Sequence, residues 1–143
     1  MKLSLEGASL MDALISFGLG LLTFVAALSL VGLARAMRHD KLPPNVWAGI
    51  RTKAASESEA SWYQVQRAGS VPLFCLVVAY VDSGLLFILQ GIYHETISVL
   101  VPVVVFSVQS LVGIIWIYKA GYNSESSQVQ SRTSEFSEKN EEK

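Results

Sequence analysis

The sequence predicts an all-α membrane protein with three transmembrane helices, a short cytoplasmic juxtamembrane helix and a disordered C-terminal tail. Three observations carry that prediction. Of 143 residues, 51% are hydrophobic and only 16% are charged. The charged residues gather in a few blocks instead of recurring along the chain. The stretches between blocks are apolar on every side, as a helix facing lipid must be, whereas a helix of a soluble domain keeps one solvated face.

Residues 1–12 carry Lys2, Glu6 and Asp12 and read as an extracytoplasmic N-terminus. Residues 13–35 then run without charge up to Arg35. About 20 apolar residues cross the hydrocarbon core at a rise of about 1.5 Å each, so this first segment is long enough to span. A cleaved secretory signal would instead need a basic leader and a shorter apolar core. Here acidic residues precede the run and Arg35 and Arg38 follow it. Within the run, Ser16, Gly20, Thr23 and Ala27 fall on one helical stripe of small residues, suited to an internal packing seam or to a partner's helix.

The second segment, 71–93, is interrupted only by Asp82, and the third, 96–118, has no charge. Only His94 and Glu95 separate them, which predicts an antiparallel hairpin, because backbone inside lipid satisfies its hydrogen bonds as helix and turns at the surface. Pro72 is expected in the first turn of its helix, where a missing amide hydrogen costs little. Pro102 is expected deeper, as a kink in the third. From 119 to 143 the composition shifts to Ser, Glu, Gln, Asn and Lys, the signature of a disordered tail. The lone cysteine, Cys75, forms no intramolecular disulfide and reads as a small buried hydrophobe.

Orientation follows from the basic residues. Arg35, Arg38, Lys41, Arg51, Lys53 and Arg67 lie in the middle segment, and Lys119, Arg132, Lys139 and Lys143 in the tail, against Lys2 alone on the other side. The positive-inside rule puts loop and tail in the cytoplasm and the N-terminus outside. The formal net charge of −1 says little about partners, because local charge is what a membrane reads.

Asp82 falls near the middle of its span, where a charge costs about 2.5–3.5 kcal/mol on insertion scales. Folding the hairpin about its turn brings Gln109 to the same depth, and Thr23 marks the middle of the first span. These three are expected to form a polar layer, with Asp82 protonated or hydrogen-bonded. One role for Asp82 is proton or ligand contact, and the other is helix packing.

The middle segment, 36–70, holds the most distinctive pattern: Asn45-Val46-Trp47-Ala48-Gly49-Ile50-Arg51-Thr52, then Trp62, then Arg67. Pro43-Pro44 stops the preceding helix, and Gly49 permits a left-handed backbone. Ser56 or Ser58 can cap a short helix running to about Arg67, with Trp62 and Val65 on one face. Arg51 and Arg67 are placed to meet Glu57, Glu59 or lipid phosphates.

Gly49-Ile50-Arg51-Thr52, followed by Trp62 and then Arg67, resembles the signature loop of the SdpI family of small bacterial integral membrane proteins. The resemblance takes in this loop and its flanking helices. Lys53, Ala54 and Ala55 stand where members often have Pro, an aromatic residue and Thr, and Gln66 where they often have His. Larger members also carry extra membrane helices in front. The resemblance implies a bacterial plasma-membrane protein with a role in toxin immunity or membrane signalling, because the family's namesake protects its producer from a secreted killing factor and holds a repressor at the membrane. It marks Asn45, Gly49, Arg51, Thr52, Trp62 and Arg67 as the interaction loop.

Enzyme signatures are missing. His39 and His94 are expected on opposite sides of the membrane, and no Gly-rich phosphate loop, paired carboxylates or nucleophile elbow occurs. No catalytic residue, metal ligand or cofactor is expected, and a basic loop beside a membrane points to lipid rather than nucleic acid. Expected partners are membrane lipids, other membrane proteins, and a toxin or cytoplasmic regulator. The alternative function is an accessory subunit of a larger respiratory or cell-envelope complex.

Overall fold

The structure, a computed structural model, describes the backbone of residues 2–141. It consists of three long helices: α1 (Lys2–Arg38), α2 (Glu59–Ile92) and α3 (Leu100–Glu141), with a short 3-10 turn at Ala54–Ser56 ahead of α2. All three are long and apolar enough to cross a membrane, over Leu10–Arg38, Glu59–Ile92 and Leu100–Ser131.

Helix boundaries differ from the sequence expectation in four places. First, the N-terminal segment is helical from Lys2 onward and continuous with the first span. Second, the juxtamembrane helix is not separate: it is the first part of α2, which runs through Pro72 without ending. Pro72 therefore sits inside the helix, while Pro102 sits in the first turn of α3, reversing the expected roles of the two prolines. The reason lies at the caps. Ser58 Oγ accepts from the Ser61 amide (3.1 Å), so α2 starts there, well ahead of Pro72. Third, the hairpin turn is longer than His94-Glu95. Tyr93 O accepts from the amides of Thr96 and Ile97 (both 2.9 Å), and Ser98 Oγ accepts from Leu100 N (3.3 Å).

Fourth, α3 continues as helix through Glu141 where a disordered tail is expected. Residues 142–143 of that predicted tail lie outside the described residues. The segment has no proline, and its Glu, Gln and Lys are good helix formers. Ser124 Oγ donates to Gly121 O (2.7 Å) and Thr133 Oγ1 to Val129 O (2.9 Å).

Packing divides the chain into two units, Met1–Gly32 with Phe74–Gly113, and Leu33–Leu73 with Ile114–Lys143. In the first unit, α1 and α2 meet along the small-residue stripe. Ser16, Gly20, Thr23 and Ala27 are all buried, so the stripe is an internal seam. A Cβ at Gly20 would lie 3.1 Å from Gly84 O, and one at Gly84 would lie 2.8 Å from Thr23 Oγ1. Ser16 Oγ donates to Gln90 Oε1, and Gln90 Nε2 donates to Ile97 O (3.0 Å), tying the seam to the hairpin turn. Between α2 and α3, Tyr80 and Phe106 pack as tilted rings 5.0 Å apart, and Gly113 admits Leu76.

The second unit has its own core, built on the loop. Met37, Ile50, Ala55, Trp62, Val65 and Gln66 are buried there.

Candidate functional site

The loop begins where α1 is stopped by Asp40, earlier than Pro43-Pro44. Asp40 adopts φ 57°, and the Lys41 amide reaches back to Ala36 O (2.9 Å), closing a Schellman-type cap. Glycine usually fills that left-handed position, and Asp is among the few residues that tolerate it. Its carboxylate has a second use, because it pairs with the Arg67 guanidinium. Arg67 thus meets Asp40 instead of Glu57 or Glu59.

Asn45 folds the next turn around its side chain. Its Oδ1 accepts from the amides of Trp47 (2.9 Å) and Ala48 (2.8 Å), while its Nδ2 donates to Pro43 O (2.7 Å). Such an Asx turn replaces backbone pairing where no helix or strand is present. The backbone of Val46 and Trp47 is pushed outward, leaving Trp47 92% exposed and Val46 70% exposed.

Gly49, Ile50 and Gln66 then lock the loop to α2. Gly49 has φ 100°, and a Cβ there would sit 2.6 Å from Gln66 Oε1, so both backbone conformation and space require glycine. Gln66 Oε1 accepts from the Ile50 amide (2.9 Å) and Gln66 Nε2 donates to Ile50 O (2.8 Å), with Gln66 wholly buried. The Ile50 side chain fills the space left by two glycines. A Cβ at Gly69 would lie 1.9 Å from Ile50 Cδ1, and one at Gly121 would lie 2.8 Å from Ile50 Cγ2.

Thr52 caps the 3-10 turn, its Oγ1 accepting from Ala55 N (3.2 Å). Trp62 is buried, and its indole N–H donates to Leu42 O (2.8 Å), pinning the loop's start to α2. Of the six residues expected to form an interaction surface, Asn45, Gly49, Thr52, Trp62 and Arg67 hold the loop together. Arg51 is exposed, as Gly49 and Arg67 are, but unlike Arg67 it makes no ion pair with a described residue. It lines a cleft of about 450 Å³ with Pro44, Asn45, Val46, Ser58 and Trp62.

Of the three residues expected to form a polar layer, two are hydrogen-bonded to each other. Gln109 Nε2 donates to Asp82 Oδ2 (3.2 Å), and Gln109 Oε1 accepts from Ser83 Oγ (2.7 Å). Thr23 is not part of this group: its hydroxyl donates to Gly20 O (2.7 Å) on its own helix and packs on Gly84. Helices of one hairpin share a turn, so Asp82 and Gln109 meet, whereas the facing of Thr23 depends on the rotation of α1. Asp82 is also exposed, outside the helix interior. Cys75, expected to be buried, is exposed as well.

Several residues that matter carry little signal in the sequence. Gln66 departs from the family's pattern, and its role depends on the position of Ile50. Asp40 and Gln90 carry no motif. Trp47 carries a readable signal, an aromatic residue between Pro43-Pro44 and Gly49 in a segment with no helical repeat. Among the described residues, no three of His, Cys, Asp and Glu gather where an ion could be held.

Residues 41–119 match the model of the SdpI/YfhL protein family, a range that takes in the loop, α2 and the apolar part of α3. No curated protein and no solved structure matches the chain.

Proposed function

The chain belongs to the SdpI/YfhL protein family, and from that membership we propose a non-enzymatic protein of the bacterial plasma membrane whose 45–67 loop is an interaction surface for toxin immunity or membrane signalling. The observation that carries the reading is the division of labour in the loop. Its polar groups are spent on its own backbone, while Val46, Trp47 and Arg51 are held outward on a rigid frame. An exposed aromatic side chain and an exposed guanidinium on one loop are the kind of anchors that dominate protein recognition. The basic residues of the loop and α3 support a cytoplasmic loop and C-terminus with the N-terminus outside.

Challenge of deletion cells with a secreted peptide toxin tests immunity, with full-length and W47S/R51Q chains as complements. The proposal expects sensitivity on deletion, rescue by the full-length chain, and no rescue by a variant present at equal membrane level. Equal rescue by the variant removes the loop surface from the function. Sidedness is tested separately by a cysteine at exposed Ser56 in a C75A background, because Ala55 is buried. Labelling of that cysteine from outside intact cells refutes the cytoplasmic loop.

One observation favours the second reading, an accessory subunit of a larger membrane complex. Asp82 is exposed within a membrane-crossing helix, and an ionisable side chain at that depth ordinarily faces protein or water. Pull-down in mild detergent separates the two readings: a stoichiometric set of large membrane partners supports the subunit, and recovery of the chain alone counts against it.

A further inference from the structure

A second cleft, of about 650 Å³, opens between the loop and α3, and it shares Arg51 with the cleft beside Val46. Arg51, Thr52 and Lys53 line one side, and Tyr118, Lys119 and Tyr122 line the other. Arg51, Lys53 and Lys119 are all exposed, and none makes an ion pair with a described residue. Glu125 also lines the cleft and offsets one of the three positive charges, leaving an excess of two. Cations converging without matching carboxylates create a field that an anion relieves. A guanidinium offers a planar fork to phosphate oxygens, and two ammonium groups add point charges.

The neighbouring residues select the source of that anion. Tyr118 and Tyr122 are 60% and 67% exposed, and amphipathic rings of this kind settle at the headgroup level of a bilayer. Ile115, 57% exposed, precedes Tyr118 by three residues, and Tyr122 follows by four, so the three share one face of α3. An apolar side chain therefore leads directly into the cationic cleft along a single helix face. A free phosphate ion uses only the cationic end, whereas a phospholipid uses both.

We propose that this cleft binds the phosphate of an anionic phospholipid headgroup, with an acyl chain lying along the Ile115 face of α3. The site does not depend on which partner the loop engages or on which leaflet it faces. Binding fixes the loop against the bilayer surface through Arg51 and Lys53, leaving Trp47 free.

Native mass spectrometry of the full chain in mild detergent tests this, with phosphatidylglycerol and phosphatidylcholine as probes. The wild-type chain is expected to retain phosphatidylglycerol in preference to phosphatidylcholine. R51Q/K119Q should lower that preference by about thirtyfold, the scale expected when two cations are removed from contact with anionic lipid. R35Q/R38Q removes the same charge away from the cleft and should leave the preference intact. Should R51Q/K119Q fail to fold, K53Q/K119Q is read in the same way, because Lys53 and Lys119 make no side-chain bond with a described residue. Equal retention of both lipids by the wild type overturns the site, as does an equal loss in R35Q/R38Q. Displacement of phosphatidylglycerol by equimolar inorganic phosphate overturns the lipid assignment in favour of a free anion.

Discussion

Gln66 pairs with Ile50 as one strand residue pairs with another, its side-chain amide taking the Ile50 N–H and returning a hydrogen to the Ile50 C=O. A primary amide has an acceptor and a donor side by side, so it can stand in for a missing backbone partner. Both bonds are buried, and the loop would otherwise leave two main-chain groups unsatisfied.

Gln66→Ala should therefore destabilise the full chain by about 2–6 kcal/mol, since each of the two buried groups left without a partner costs about 1–3 kcal/mol. Gln66→Glu keeps an acceptor for the Ile50 amide but loses the donor, so its melting temperature should be the lower of the two, with a carboxylate facing Ile50 O. Thermal unfolding in detergent reads both. A Gln66→Ala melt matching wild type would remove the pair from the loop's stability.

Gly69→Ala should be strongly destabilising, because the added methyl would overlap Ile50 Cδ1. Ile50→Val removes Cδ1 and alone should cost about 0.5–1.5 kcal/mol. The double variant G69A/I50V should be more stable than G69A, a coupling that thermal melts of the four chains measure. Additive effects would show that Ile50 does not seat against Gly69.

Asp40→Gly is expected to hold or raise stability, since glycine suits φ 57° and a half-exposed ion pair contributes only about 0–1 kcal/mol. Asp40→Val should lower it, losing the pair and placing a β-branched residue in the left-handed region. Helical circular dichroism melts compare the two, and equal losses would show that the ion pair, not the backbone, sets the effect.

Asp82→Asn retains an oxygen for Gln109 Nε2 and removes the charge, so membrane abundance and stability should stay within about 0.5 kcal/mol of wild type or rise. Loss of toxin protection or partner capture at unchanged abundance would show that the ionisable group itself is used. Gln109→Leu, by contrast, strips partners from both Ser83 and Asp82 and should lower stability.

Spans were legible because lipid imposes one rule on every residue of a crossing helix, and that rule survives without knowledge of neighbours. Interruptions were less so. Pro72 and Pro102 exchanged their expected positions because a helix start is set by a cap such as Ser58 or Ser98, which composition reveals only weakly. Gly49 and Trp62 could be recognised as necessary, but not as necessary to Gln66 and Leu42, whose partners come from across the loop. The hydrogen bond of Gln109 with Asp82 was accessible from hairpin depth, whereas the turn of Thr23 toward Gly84 depended on the rotation of α1.

Asp40 both terminates α1 and supplies the carboxylate that reaches Arg67. Each residue of an α-helix turns the chain by about 100°. Lengthening α1 by a single alanine just ahead of this cap would swing the acid away from its guanidinium and shift the origin of the loop by the same angle. The spacing between Met37 and Asp40 consequently works as a ruler, and insertions tolerated on the outward Val46–Trp47 bend should be refused there.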